Sequence, residues 1–167
     1  MCRWDITGQN KMKKSFIILI GAIVMLFAVS SCQKTVEQSD VWEISVEMIR
    51  NADGSEADGI YKDLAGKFQS TDAVLVYAEV EEGVWLALPG IYDGDQYSYV
   101  FDDNGNFLFG ALPKTGNVWT SNFKMNYRIV RIPHFAFTEK RAEGVNHEDY
   151  NEVMKAYNLY ESNIIKK

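Results

Sequence analysis

The chain has 167 residues, 47% hydrophobic and 13% aromatic, with a formal net charge of −6. That length holds one domain with appendages and excludes large multidomain machinery. Two cysteines exclude a disulfide framework and a four-thiolate metal site. The acidic balance excludes a phosphate-backbone binder, because non-specific nucleic-acid affinity needs clustered Lys and Arg.

The first element is a leader. Phe16 to Val29 (FIILIGAIVMLFAV) is a run of fourteen apolar or small residues without a charge. Lys11, Lys13 and Lys14 precede it, and Ser30, Ser31 and Cys32 follow. A basic stretch, a short apolar core and a small-residue exit make a secretory signal peptide. A spanning helix needs about 20 apolar residues, so the run is short for one. Val29-Ser30-Ser31-Cys32 resembles the lipobox of bacterial lipoprotein precursors. The resemblance implies diacylglyceryl transfer to the Cys32 thiol, cleavage between Ser31 and Cys32, and acylation, typically with palmitate, of the new amino terminus. The competing reading is an ordinary signal peptide or uncleaved anchor with an incidental cysteine. Met12-Lys13-Lys14-Ser15 is a normal beginning for such a signal, which makes residues 1–11 an upstream extension.

Removing residues 1–31 leaves 136, with thirteen Lys and Arg against twenty-two Asp and Glu, a net −9. The mature part then holds Cys32 alone, consumed by lipid, and so no thiol for redox chemistry. Residues 32–40 read as a lipidated tether, since Gln33 to Asp40 (QKTVEQSD) is polar and unpatterned. With Gln33 rather than an aspartate after the cysteine, the resemblance implies an outer-membrane protein facing the periplasm or the cell surface. The membrane, reached through Cys32, is the first expected partner.

From Val41 the pattern has period two. Trp42, Ile44, Val46 and Met48 alternate with a polar face, as in a half-buried strand. Asn51 to Gly59 is turn-rich, and Ile60 to Phe68 holds a weaker strand signal. Ala73 to Val80 and Val84 to Leu88 flank Glu81-Glu82-Gly83 and predict a hairpin, ended by Pro89-Gly90. Gln96 to Phe101 and Phe107 to Leu112 flank Asp102-Asp103-Asn104-Gly105-Asn106, and Asn-Gly predicts a type I′ turn there. Trp119 to Met125 and Tyr127 to Ile132 give one or two more strands, closed by Pro133. Seven or eight strands without an intervening helix predict an all-β fold, an antiparallel β-sandwich, over residues 41–142. The period then switches: Tyr150, Val153, Met154 and Tyr157 fall on one helical stripe within residues 146–160, with Asn146 as the expected cap. One such stripe docks on a sheet but does not stand alone.

The signal ending at Cys32, the hairpin AVLVYAEVEEGVWLALP, the strand YRIVRIP and the closing DYNEVMKAY together resemble a group of small Bacteroidota lipoproteins of unknown function. The resemblance implies an exported β-rich domain and carries over no active-site residue.

Candidate chemistry is sparse. Asp102, Asn104 and Asn106 stand at alternate positions, as the first oxygens of a calcium loop do, and Asp93 and Asp95 lie nearby. The sixth and twelfth positions are Phe107 and Pro113 where an EF-hand needs Gly and Glu, so a solvated hairpin turn is the better reading beside a weak calcium site. His134 and His147 have no second histidine or cysteine at ligand spacing, so neither a metal site nor a cofactor is expected. No nucleophile elbow is present, and no catalytic residue is assigned. Paired carboxylates are the remaining route to catalysis, but they fall in turns and on exposed strand faces. Residues 79–103 hold seven acids and no Lys or Arg, whereas residues 114–141 hold six cations against Glu139. These segments either form opposite edges, giving a dipole, or neighbour each other and pair their charges. Tyr97 and Tyr99 share one strand face and, with Trp85 and Trp119, are the candidate binding aromatics, with core packing as the competing role. The expectation is a non-enzymatic, lipid-anchored binding or accessory module for a protein or glycan, with no nucleic-acid partner. The alternatives are a carboxylate-dependent glycan hydrolase and a purely structural envelope component.

Overall fold

The computed structural model describes residues 38–102 and 104–167. The leader, Cys32 and most of the tether lie outside the described residues, as does Asp103. The fold is all-β and mainly antiparallel. In chain order the strands are β1 (Asp40–Arg50), β2 (Ala57–Tyr61), β3 (Ala73–Glu81), β4 (Val84–Ala87), β5 (Gly90–Tyr92), β6 (Asp95–Phe101), β7 (Phe107–Leu112) and β8 (Phe123–Ile132). Two short helices follow, α1 (His134–Ala142) and α2 (Tyr150–Ala156), then a 3₁₀ turn (Glu161–Asn163) and β9 (Ile164–Lys166).

The strands form one continuous ladder, ordered β4-β3-β8-β1-β2-β7-β6-β5, with β9 added parallel to β1. The ladder folds on itself at β1, which pairs with β8 over Asp40–Met48 and with β2 only at Ile49 and Arg50. Two halves result, β4-β3-β8-β1 and β2-β7-β6-β5. Their inner faces meet in one core of Trp42, Ile44, Val76, Phe107, Phe109 and Ile129, among others. Phe109 of one half stacks on Tyr127 of the other with ring centroids 3.9 Å apart. Close approach at the fold line needs Gly59: a Cβ there would lie 2.5 Å from Val46 Cγ1.

Period-two alternation drives these placements. On β1 the even residues Trp42, Ile44, Val46 and Met48 enter this core, while Glu43, Ser45 and Glu47 face outward. Several boundaries differ from the sequence expectation. The weak strand expected at Ile60–Phe68 lies earlier, at Ala57–Tyr61, and of the one or two strands expected from Trp119 onward the structure has one, starting at Phe123. In the β6–β7 loop the turn closes from the Gly105 N–H to the Asp102 carbonyl, so Asn104-Gly105 is not its central pair. The two-residue loop with both central residues at positive φ is instead Asp93-Gly94, between Tyr92 and Asp95.

The span expected to be β-structure as far as residue 142 ends instead in α1. Pro133, lacking an N–H, stops the ladder, and Lys140 and Arg141 suit the negative end of the helix. Gly144 at φ +85 turns the chain away, with its N–H on Arg141 O and that of Val145 on Lys140 O. The second helix starts later than expected. Asp149, not Asn146, is its cap, accepting from the Asn151 and Glu152 N–H groups. Asn146 Oδ1 accepts from Glu148 N in the turn before it. Tyr150, Val153 and Met154 of α2, with Leu159 beyond it, pack on Val41, Tyr77, Val130 and Ile132 as a second apolar cluster outside the β4-β3-β8-β1 half.

Candidate functional site

Two surface regions carry the features a function would use. One is polar and lies beside the helices. Strand register places Tyr77, Arg128, Glu43 and Lys166 in one line across β3, β8, β1 and β9. This line is where the apolar roof of α2 ends, so its polar groups border an open cleft of about 340 Å³ that Glu79, Trp85, Tyr150 and Glu161 also line.

Arg128 is the hub of that cleft. Nε and Nη2 donate to Glu43 Oε2 at 2.9 and 2.7 Å, and Nη1 and Nη2 donate to the two Glu161 oxygens at 2.8 and 2.9 Å. The remaining Nη1 proton goes to the Tyr150 hydroxyl. The guanidinium carbon sits 4.1 Å from the Trp85 ring centre and 5.0 Å from that of Tyr150. All five N–H donors of the guanidinium are therefore engaged within the protein. The side chain is 8% exposed, so few of these bonds compete with water. A saturated arginine holds its neighbours in place; it has no donor left for an anionic ligand.

The acids of the cleft are set by the same bonds. Burial alone would raise the Glu43 carboxyl, but hydrogen bonds and charge from Arg128 and Lys166 outweigh it and hold it below the ordinary range. Hydrogen bonds from the Asn126 side chain and the Gly83 N–H lower Glu79 likewise. Burial pushes the Tyr150 hydroxyl up to about 12. Glycoside hydrolysis needs a carboxyl raised enough to donate a proton, and neither Glu43 nor Glu79 is placed to be that group.

The second region is apolar. On the outer face of β2-β7-β6-β5, Ile60, Leu108 and Val100 are direct cross-strand partners, and all three are exposed. Leu112, Gln96 and Ile91 form a parallel row. Between the rows run Ile49, Asp58, Gly110 and Ser98, again in register. A shallow cavity of about 300 Å³ opens at one end, bounded by Ile60, Lys62, Val100, Phe101 and Leu108. Among the described residues, both helices pack on the other half, and the apolar side chains of this face are exposed.

Apart from Trp85, the residues singled out from the sequence lie elsewhere or face inward. Tyr97 is buried, and Tyr99 packs in the ring stack of Phe101 and Phe107, its hydroxyl donating to Val74 O at 3.3 Å. Trp119 leans on Phe123 and donates from Nε1 to Ala111 O. Trp85 stacks on Arg128, so of the four aromatics it is the one at a cleft. Asp102 spends its carboxylate inside its own loop. Oδ1 accepts from the N–H groups of Asn104 and Asn106, and Oδ2 from their side-chain amides. The two asparagines thus turn nitrogen, not oxygen, toward Asp102. Asp95 accepts from the Lys114 N–H, and Asp93 faces Lys114 Nζ at 3.7 Å on the surface. Among the described residues, no group of three or more His, Cys, Asp or Glu is placed to hold a metal ion.

The uneven charge resolves into a third arrangement. Arg128 and Arg131 find their acids in Glu43, Glu161, Asp40 and Asp72, outside the acidic 79–103 segment. Among the described residues, the ion pair between the two biased segments is Lys114–Asp93. The bare apolar face was missed, although its signal stands in Phe107–Leu112: FLFGAL is apolar at both parities, and only one parity enters the core.

No protein-family model, curated protein or solved structure matches this chain. Among the described residues, no helix is long and apolar enough to cross a membrane.

Proposed function

We propose that the chain is a lipid-anchored protein of the cell envelope and, there, a non-enzymatic binding or accessory module. The order of basic stretch, apolar run, small residues and Cys32 supports the anchor, since two or more acyl chains hold a protein stably at a membrane. One observation carries the binding role: a half-sheet whose outer face is unroofed and carries contiguous exposed aliphatic side chains. Apolar residues scattered singly need no explanation, but contiguous exposed rows mark interaction surfaces. Aliphatic rows favour a protein partner over a glycan, because sugars stack on aromatic rings and Tyr97, Tyr99 and Trp119 are engaged in packing.

Two measurements test this reading. Metabolic labelling with an alkynyl palmitate should mark the full chain, and Cys32→Ser should lose the label and leave the membrane fraction. Capture from envelope extracts should retain partners on the native chain that Leu108→Arg releases. An unlabelled chain, or a capture profile that Leu108→Arg leaves unchanged, overturns the corresponding half of the proposal.

A further inference from the structure

The middle row of the bare face carries its acid. Asp58 stands between exposed Ile49 and Ile60, and its carboxylate has no hydrogen bond or ion pair among the described residues. Its cross-strand neighbour is Gly110, so the ridge of Leu108 and Leu112 is interrupted there. A Cβ on Gly110 would lie 3.1 Å from Ser98 Oγ and 3.6 Å from Asp58 Oδ1. The missing side chain thus leaves a notch with a hydroxyl on one wall, a carboxylate on the other, and Leu108 and Leu112 on either side along the strand. Lys62 is a cation of the same face but stands at its rim, with Ile60 between it and Asp58.

We propose that this face docks a polypeptide segment carrying one lysine or arginine between apolar side chains, its cationic head seated in the Gly110 notch against Asp58. The inference rests on the binding-module reading and names the chemistry of the partner. Charge complementarity selects this occupant. A buried interface tolerates a carboxylate only if it is paired, and an unpaired acid inside an apolar patch sets the sign of what must meet it. A second copy whose two-fold axis passes through the notch would place Asp58 against Asp58, and an anionic lipid surface would meet the same repulsion. Long basic side chains fit the geometry, because their aliphatic stems lie along Leu108 and Leu112 while the charge reaches the notch.

The test uses the full chain in the envelope of producing cells, with a photo-crosslinking amino acid at Ser98 and, in a separate variant, at Glu82 in the β3–β4 turn. The Ser98 probe should join one polypeptide within a segment that bears Lys or Arg among apolar residues. Asp58→Lys should cut that yield about tenfold, equivalent to roughly 1.4 kcal/mol, and Asp58→Glu should keep it. Asp58 is exposed, so neither change threatens folding. A yield indifferent to Asp58→Lys overturns the inference, as does cross-linking to a second copy, to lipid or to nothing. Partners joined at Glu82 but not at Ser98 would leave the binding module standing and remove this face from it. Silence at both positions would count against the module itself.

Discussion

The outer face of β4-β3-β8-β1 is roofed by α1 and α2, whereas among the described residues the outer face of β2-β7-β6-β5 is bare. Both faces are built from strands with apolar residues at outward positions: Tyr77, Val130 and Ile132 on the first, Ile60, Val100 and Leu108 on the second. The first set is buried and the second exposed, with Val100 at 63%. Outward apolar residues are therefore not in themselves a binding signal; what distinguishes the halves is whether the chain supplies a cover. The roof is also fastened electrostatically, through Arg128 to Glu161 beyond α2, while the bare face keeps one carboxylate unpaired.

Breaking the fastening should produce the largest change. Arg128→Met removes the shared partner of Glu43, Glu161 and Tyr150 and should cost about 3 kcal/mol. Denaturant unfolding measures the loss, and hydrogen exchange should show the segment from Tyr150 to Lys167 opening first. A smaller loss, about 1 kcal/mol, should follow Asp149→Ala, which strips the α2 cap from two backbone N–H groups.

Acid should loosen the roof more gently. His147 lies against Phe137 and Tyr157, with its Nε2 2.8 Å from the Tyr157 hydroxyl, and burial lowers its pKa below 6.5. The histidine therefore prefers to be neutral when folded. Its contribution is present above the unfolded value of about 6.5 and is lost as pH falls below it. Melting followed between pH 8 and pH 5 should show this decline, and His147→Phe should flatten it. At the other extreme, Leu108→Ser on the bare face should change stability by less than about 1 kcal/mol, because the residue is already 41% exposed. A loss comparable to that of Arg128→Met would mean that Leu108 is covered, and the contrast between the faces would fail.

The legible part of this architecture was local. Phe107–Leu112 stands where its apolar run and flanking turn residues put it, and β3 extends one residue past Val80. Adjacent elements were harder. In α1 the apolar residues Phe135, Ala136 and Phe137 are consecutive, so no helical stripe announces it, and its existence depends on Pro133 ending β8. The charge pairing of Arg128 was illegible because Glu43 and Glu161 lie 85 and 33 residues away in sequence. Asp58 went unnoticed because it lies in a turn-rich stretch, and only cross-strand register sets it beside Gly110.

By itself the sequence determined the β-rich class, most strand cores and the helical stripe before Tyr157. These are decided by neighbours within a few residues, through side-chain alternation, turn chemistry and missing N–H groups. Tertiary structure alone decided that the ladder folds at β1, that one outer face receives the helices, and that Asp58 is left unpaired beside a notch. Those outcomes depend on which distant strands become neighbours and in which register, and a register is set by the whole sheet rather than by any segment of it.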